Sequence, residues 1–248
     1  MTAALQADCY NERRMRTAAP ELMDDPACAE RELRAALRDL GRINGRFGAH
    51  AFVSRYLDRA LPIWRAGRRD PAAPLRVLDV ATGGADIPIA VAGWAARRGI
   101  PARVVAVDRH VTTARLACEA LAGHPDIRVV RADARRLPFA DRSFDVALCT
   151  LTLHHLSAED GVRTLQNLDR VSRVGFFVMD LVRSPVGYAA VWLLTRLSRS
   201  RVIRHDGPLS VLRAGTTDEY RRLADAARVA GLRVVPLPLF RVALERTG

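Results

Sequence analysis

Residues 76–86, Arg-Val-Leu-Asp-Val-Ala-Thr-Gly-Gly-Ala-Asp, leave few folds open to the chain that carries them. Val77, Leu78 and Val80 form a short apolar run of the kind buried on both faces of a parallel sheet. Small residues follow at once (Ala81, Thr82, Gly83, Gly84, Ala85), and an apolar helix is predicted from near Ile87 to about Arg98. A strand, a loop free of bulky side chains and a helix together present backbone N–H groups to a ligand at the helix N-terminus.

The acids in this stretch narrow the ligand. A dinucleotide loop places glycines in a G-x-G-x-x-G pattern, whereas here the three positions hold Ala81, Gly83 and Asp86. A carboxylate in the first helical turn repels a pyrophosphate. An ammonium or sulfonium would instead be attracted to Asp79 and Asp86, which points to a nucleoside with a cationic tail, S-adenosylmethionine being the common one.

From Leu75 onward strands and helices alternate, as in a parallel sheet. The second strand, Arg103 to Asp108, ends in an acid 29 residues after Asp79, one β-α-β unit on, where it can accept ribose hydroxyls. The third, Ile127 to Arg131, leads to Ala132-Asp133-Ala134; the fourth runs from Val146 to Leu151 and the fifth from Gly175 to Leu181.

Asp79 to Ala85 resembles the first motif of class I S-adenosylmethionine-dependent methyltransferases, D-x-G-x-G-x-G, with Ala81 and Ala85 at the outer glycines. Leu137-Pro-Phe-Ala-Asp-Arg-Ser-Phe-Asp145 is similar to that family's LPF-x-D-x-S-FD segment, and the resemblance spans about residues 75–181. It implies a doubly wound, mostly parallel seven-stranded α/β sheet of Rossmann-like type, closed by an antiparallel pair at Leu232–Leu237 and Leu239–Arg246. It also implies that Asp133 faces the adenine amino group. The cofactor set expected on this basis is Asn44, Asp79, Ala81, Thr82, Gly83, Asp86, Asp108, Arg109, Asp133, Ala134 and Thr150, binding S-adenosylmethionine and releasing S-adenosylhomocysteine.

The expected domains are an N-terminal helical extension over 1–70 and the methyltransferase domain over 71–248, with a helical insertion at about 183–215. In the extension a helix carrying Leu33, Leu37 and Leu40 should break at Gly41, with Arg42 to Arg46 as a turn and a second helix reaching about Ala60. The extension reads as packing or as a lid over the cofactor. In the insertion an apolar helix is predicted over Gly187–Leu197 and a loop at Arg204-His-Asp-Gly-Pro208. Ser157 and Thr216 read as helix N-caps, the latter with Glu219 in capping-box spacing.

Methyl transfer to a phenol needs alignment and gains from a general base. His154 and His155 follow the fourth strand at its C-terminal end, and His205 sits next to Asp206; these three are the candidate bases. Neighbours in an extended segment face opposite ways, so only one of His154 and His155 should face substrate. His50, His110 and His124 read as surface or cap residues. Arg204, Arg213 and Arg241 read as solvated rather than as carboxylate partners. The four cysteines have no zinc spacing, no metal is expected, and Cys118 and Cys149 read as core.

A net charge of +12 raises nucleic acid as a partner. All 39 basic residues are arginines scattered without a long run or interleaved aromatics, so no nucleic acid is expected and a weak contact with membrane surfaces stays open. With no apolar leader and no stretch of spanning length, a cytoplasmic protein is expected. The flanks Glu21–Pro26, Arg42–Asn44 and Arg204–Pro208 are similar to bacterial methyltransferases of polyketide and phenolic-lipid synthesis, implying a small aromatic acceptor methylated on a phenolic oxygen. The alternatives are carbon methylation of a quinone or polyketide ring and, from charge alone, an RNA methyltransferase or nucleic-acid-binding protein; the N/D-P-P-Y/F segment of the amino-methylating enzymes is replaced by Thr152-Leu-His-His.

Overall fold

The structure, a computed structural model, describes residues 17–25, 27–68 and 70–248; residues 1–16, with Cys9 and the Arg13-Arg14 pair, lie outside the described residues. Seven strands, β1 (Leu75–Val80), β2 (Ala102–Asp108), β3 (Ile127–Arg131), β4 (Phe144–Thr150), β5 (Ser172–Leu181), β6 (Arg233–Leu237) and β7 (Arg241–Thr247), form one sheet. Their order is β3-β2-β1-β4-β5-β7-β6. Every pairing from β3 to β5 is parallel, and β7 runs antiparallel to both β5 and β6. All seven residues of β4 are buried, the signature of a central strand covered on both faces.

Helices cover both faces. α1 (Glu30–Arg46), α2 (Ala49–Gly67), α3 (Asp86–Ala96) and α4 (Val111–Ala120) precede β3, and α5 (Ala158–Val171) lies between β4 and β5. α6 (Pro185–Thr195), α7 (Arg201–Arg213) and α8 (Thr217–Ala227) follow β5. Phe52, Trp64 and Trp94 of α2 and α3 pack with Val77, Leu148 and Phe177 on one face. Leu165 and Leu168 of α5 and Tyr220 of α8 pack with Leu78, Val178 and Leu244 on the other. Strand order reverses between β1 and β4, so the loops at their C-terminal ends diverge and leave a crevice.

Two predicted breaks are absent. α1 continues through Gly41 to Arg46, and the chain turns instead at Phe47-Gly48, where Gly48 has φ +87°. Gly41 is small for packing: a Cβ there would meet the Asp86 Cβ at 3.1 Å. Residues 204–208 are likewise helix rather than loop. A Cβ on Gly207 would meet Thr195 Cγ2 at 2.6 Å, so this glycine lets α7 lie against α6. The caps form as expected, with Ser157 Oγ accepting from Asp160 N and Thr216 and Glu219 making a reciprocal capping box. Cys149 is buried, but Cys118 is exposed, because it falls on the outward side of α4.

Candidate functional site

The crevice opens into a cavity of about 620 Å³ bounded by the β1, β2 and β4 loops, α1, α6 and α7, a size that encloses a small-molecule ligand. One end is the glycine loop with Asp86, Asp108 and Asp133; the other holds Glu21, Asp24, His154 and His155. Leu33, Leu37, Ile43, Phe47, Leu194 and Ile203 form apolar walls between them.

At the glycine-loop end Ala81, Gly83 and Ala85 all adopt left-handed backbone, with φ of 58°, 54° and 64°. This turn brings the loop against α1, where a Cβ on Gly84 would lie 3.2 Å from the Leu37 carbonyl oxygen. Asp108 is buried and accepts Gly83 N–H (3.1 Å) on one oxygen and His110 N–H (2.9 Å) on the other. Burial raises its pKa despite these bonds. A carboxylate has about four acceptor sites, which leaves lone pairs for two further donors.

Asp86 stands at the first position of α3 and lines the cavity, with Asn44 Nδ2 (3.1 Å) and His50 Nε2 (2.8 Å) donating to its Oδ2. His50 is therefore a partner of a site carboxylate rather than a surface or cap residue. Asp133 is gripped by its own neighbour: Arg135 Nε and Nη2 lie 2.9 and 2.6 Å from its two oxygens. That guanidinium holds Asp133 below the usual carboxylate range. Thr82, Arg109, Ala134 and Thr150 also line the cavity.

Asp79 does not line it. It lies beneath the loop, 1% exposed, and neither oxygen has a hydrogen-bond partner. Burial pushes its carboxyl up to about 8, with Asp86 and Asp108 adding to the rise. Asn44 Oδ1 and Thr82 Oγ1 are also buried without partners. Acceptors with spare capacity, a loop approachable at its backbone and the three acids Asp86, Asp108 and Asp133 on the wall form a set that suits an adenosyl group with a cationic amino-acid tail.

At the other end Leu153–His155 is a single helical turn, not extended chain. Successive side chains are then less than 180° apart, and both rings turn the same way, their centroids 4.2 Å apart. His154 is buried; its Nδ1 donates to Asp180 Oδ1 at 2.6 Å, and its backbone N–H donates to Asp180 Oδ2 at 2.9 Å. His155 Nδ1 donates to Asp24 Oδ2 at 2.8 Å. Each Nε2 then faces the Glu21 carboxyl, at 3.7 Å for His154 and 3.8 Å for His155.

Glu21 also accepts the Ser210 hydroxyl (2.9 Å), and Arg213 Nε stands 3.8 Å away. Burial raises its pKa to about 7, against the pull of His155, Ser210 and Arg213. For Asp180 burial acts upward, but the charge and hydrogen bond of His154 and two backbone N–H groups hold it below the ordinary value. Asp24, opposed by burial in the same way, is lowered by His155 and Arg213. Glu21, His154 and His155 are also the one group among the described residues that brings three metal-ligand atoms within reach of each other, a grouping the sequence, with no His-Cys spacing, did not indicate.

His205 lies outside this group. It sits half-exposed on α7, its Nδ1 against Asp206 Oδ1 at 2.7 Å, and does not line the cavity. Asp206 spends its carboxylate on the backbone N–H groups of Leu22 (2.8 Å) and Met23 (3.0 Å), tying residues 22–24 to α7. Arg241 is buried and donates to the Phe47 carbonyl, and Arg213 is mostly covered and faces Glu21, so neither is simply solvated. Sequence reasoning missed Glu21, Asp24, Asp180 and His50 as functional groups. Asp180 had a signal: like Asp108 it is an acid at the C-terminal end of a parallel strand.

Residues 78–179 match the family described as "Methyltransferase domain". A curated relative, a demethylmenaquinone methyltransferase of Roseiflexus sp. (strain RS-1), is 32% identical across 73% of this chain and 71% of its own length. Among solved structures, the plantazolicin methyltransferase in complex with SAH superposes with a TM-score of 0.67 at 12% identity, covering 99% of this chain and all of that one. Human N-acetylserotonin methyltransferase in complex with SAM superposes at 0.62 and 14% identity, over 98% of this chain and 65% of its own. At such identities these two likenesses concern the fold.

Proposed function

The chain belongs to the class I S-adenosylmethionine-dependent methyltransferases, and from that premise we propose that it methylates a hydroxylated aromatic ring, on a phenolic oxygen, with His154 as the general base. When bound, S-adenosylmethionine supplies a methyl group activated by a sulfonium. In this reading Asp108 receives the ribose hydroxyls, Asp133, Ala134 and Arg109 flank the adenine, and the backbone of Ala81 to Gly83 follows the nucleoside. Asn44 and Asp86 take the amino-acid end, Thr150 closes the cavity floor, and α1 acts as the lid.

The observation that carries the reading is the buried His154–Asp180 pair at the cavity end opposite the glycine loop. Its Nδ1–H is committed to Asp180, so the Nε2 lone pair is the one available to a proton from the acceptor. The imidazolium so formed is stabilised by Asp180 and, when ionised, by Glu21. The apolar walls keep water from competing. His155, fixed by Asp24, orients Glu21. His205 is left without a part in the chemistry.

The proton leaving a ring hydroxyl places charge on the oxygen and on the ortho carbon. Carbon methylation of a quinol-type ring is therefore a second reading, favoured by the demethylmenaquinone methyltransferase among the relatives. We assign Glu21, His154 and His155 to proton handling rather than to a metal, since the Arg213 cation already faces Glu21. Enzyme incubated with S-adenosylmethionine and a panel of alkylresorcinols, simple phenols and quinols tests both readings, with NMR of the products. O-methylated phenols, formed at a rate indifferent to EDTA, are expected. Exclusive ring-carbon methylation would favour the second reading, and no transfer to any hydroxylated ring would defeat both.

A further inference from the structure

We propose that α6 and the β6–β7 turn seat the protein on an anionic lipid bilayer, with the cavity mouth against the membrane. Of nine exposed large hydrophobic side chains among the described residues, seven lie on these elements or just past the end of α6: Val186, Trp192, Leu193, Leu194, Leu197, Leu239 and Phe240. Leu197 is 84% exposed, and Val186 and Leu193 are each about two-thirds exposed. The two elements adjoin, since a Cβ on Gly187 would meet the Phe240 ring at 3.1 Å. Apolar residues gathered in one place on a surface mark an interaction site, whereas single ones do not.

The turn gives an independent indication. Leu239 and Phe240 both have positive φ, 61° and 56°. Such turns favour Asn and Gly, and bulky residues held there carry strain associated with function. Here the strained turn holds two apolar side chains at the cavity mouth with about half of each left exposed.

Charge identifies the occupant. Residues 181–205 contain no acid. Arg196, Arg199, Arg201 and Arg204 are exposed, and among the described residues none of the four makes an ion pair with an acid. The Arg196 guanidinium lies 4.6 Å from the centre of the Trp192 ring, the association of a cation and an indole found at membrane–water boundaries. An apolar helix with a basic margin lies in the interface plane and is held by anionic lipid. No described helix is long and apolar enough to cross a membrane, so the contact is with one leaflet.

Leu194, Leu197, Leu239 and Phe240 belong at once to this exposed patch and to the cavity lining. A ring acceptor dissolved in the bilayer would reach His154 without crossing water. That last step rests on the function proposed above; the docking itself does not.

The test is co-sedimentation of the full chain with vesicles of phosphatidylcholine alone and of phosphatidylcholine mixed with phosphatidylglycerol, at low and high salt. Binding to the mixed vesicles, weakened by salt, is expected. Val186→Glu with Leu193→Glu, and separately Arg199→Glu with Arg204→Glu, should each weaken it about tenfold or more, with S-adenosylhomocysteine affinity unchanged as proof of folding. None of these four residues lines the cavity, so methylation of a water-soluble phenol should persist, which separates this test from that of the proposed activity. Absence of binding to anionic vesicles, or equal binding by the variants, would overturn the proposal. So would light scattering that finds a dimer which Leu193→Glu dissociates, assigning the patch to a second copy.

Discussion

Asp108 shows how a side chain that holds the fold together also presents acceptors to the cavity, where the proposed reading places the ribose. Its oxygens hold the Gly83 and His110 N–H groups, the two ends of adjacent loops, and keep lone pairs facing the cavity. Asp108→Ala should weaken S-adenosylhomocysteine binding by about 1–3 kcal/mol, measured by calorimetry; unchanged affinity would remove it from the nucleoside site. Glu21 is the residue whose titration should be visible. Its carboxyl is raised to about 7 by burial, so as pH rises through that value it gains a negative charge facing the His154 Nε2. That charge stabilises the imidazolium, and the turnover rate should climb across this range. Glu21→Gln has no charge to gain: it should match the wild type below about pH 7, fall behind above it, and lose that limb of the profile. A pH profile identical to the wild type would exclude this role. The acids at 108 and 133 were legible from strand ends and motif, but Glu21 and Asp24 meet the histidines only through tertiary packing across more than a hundred residues of chain.

Strand positions could be read closely because apolar runs ending in acids leave little freedom of register; β3 falls where the sequence put it. Glycines misled where they served packing rather than turning. Gly41 and Gly207 sit inside helices at close approaches to Asp86 and Thr195, information that belongs to the neighbouring element and not to the local sequence. The pair His154-His155 misled in a related way, because a helical turn after β4 aims both rings at one carboxyl. The glycine loop shows the reverse case, alanine where the backbone favours glycine. Ala81 is half-buried with φ 58°, so Ala81→Gly should raise stability by about 0.5–1 kcal/mol, relieved backbone strain exceeding the added chain entropy. Ala85, fully buried, should gain less because its methyl is lost from the core. Urea midpoints of the two variants check the order, and a destabilised Ala81→Gly would contradict it.

Across the whole molecule the +12 charge proves less uniform than the sequence suggested. Arg34 and Arg115 bridge Glu30 and Glu119 between α1 and α4, while Arg213 and Arg241 are drawn inward to carbonyls. Among the described residues the arginines beside α6 make no ion pair with an acid, and that asymmetry appears only once the chain is folded. The same folding joins three separate segments, residues 21–24, the β4 loop and the end of β5, into the histidine-bearing end of one cavity. The account turns on that junction, and His154→Gln examines it most directly, with methyl transfer to a phenol and S-adenosylhomocysteine affinity measured on one preparation. Affinity within about twofold of the wild type, with turnover reduced about 10²–10⁴-fold, is the predicted result; turnover retained at full affinity would contradict it.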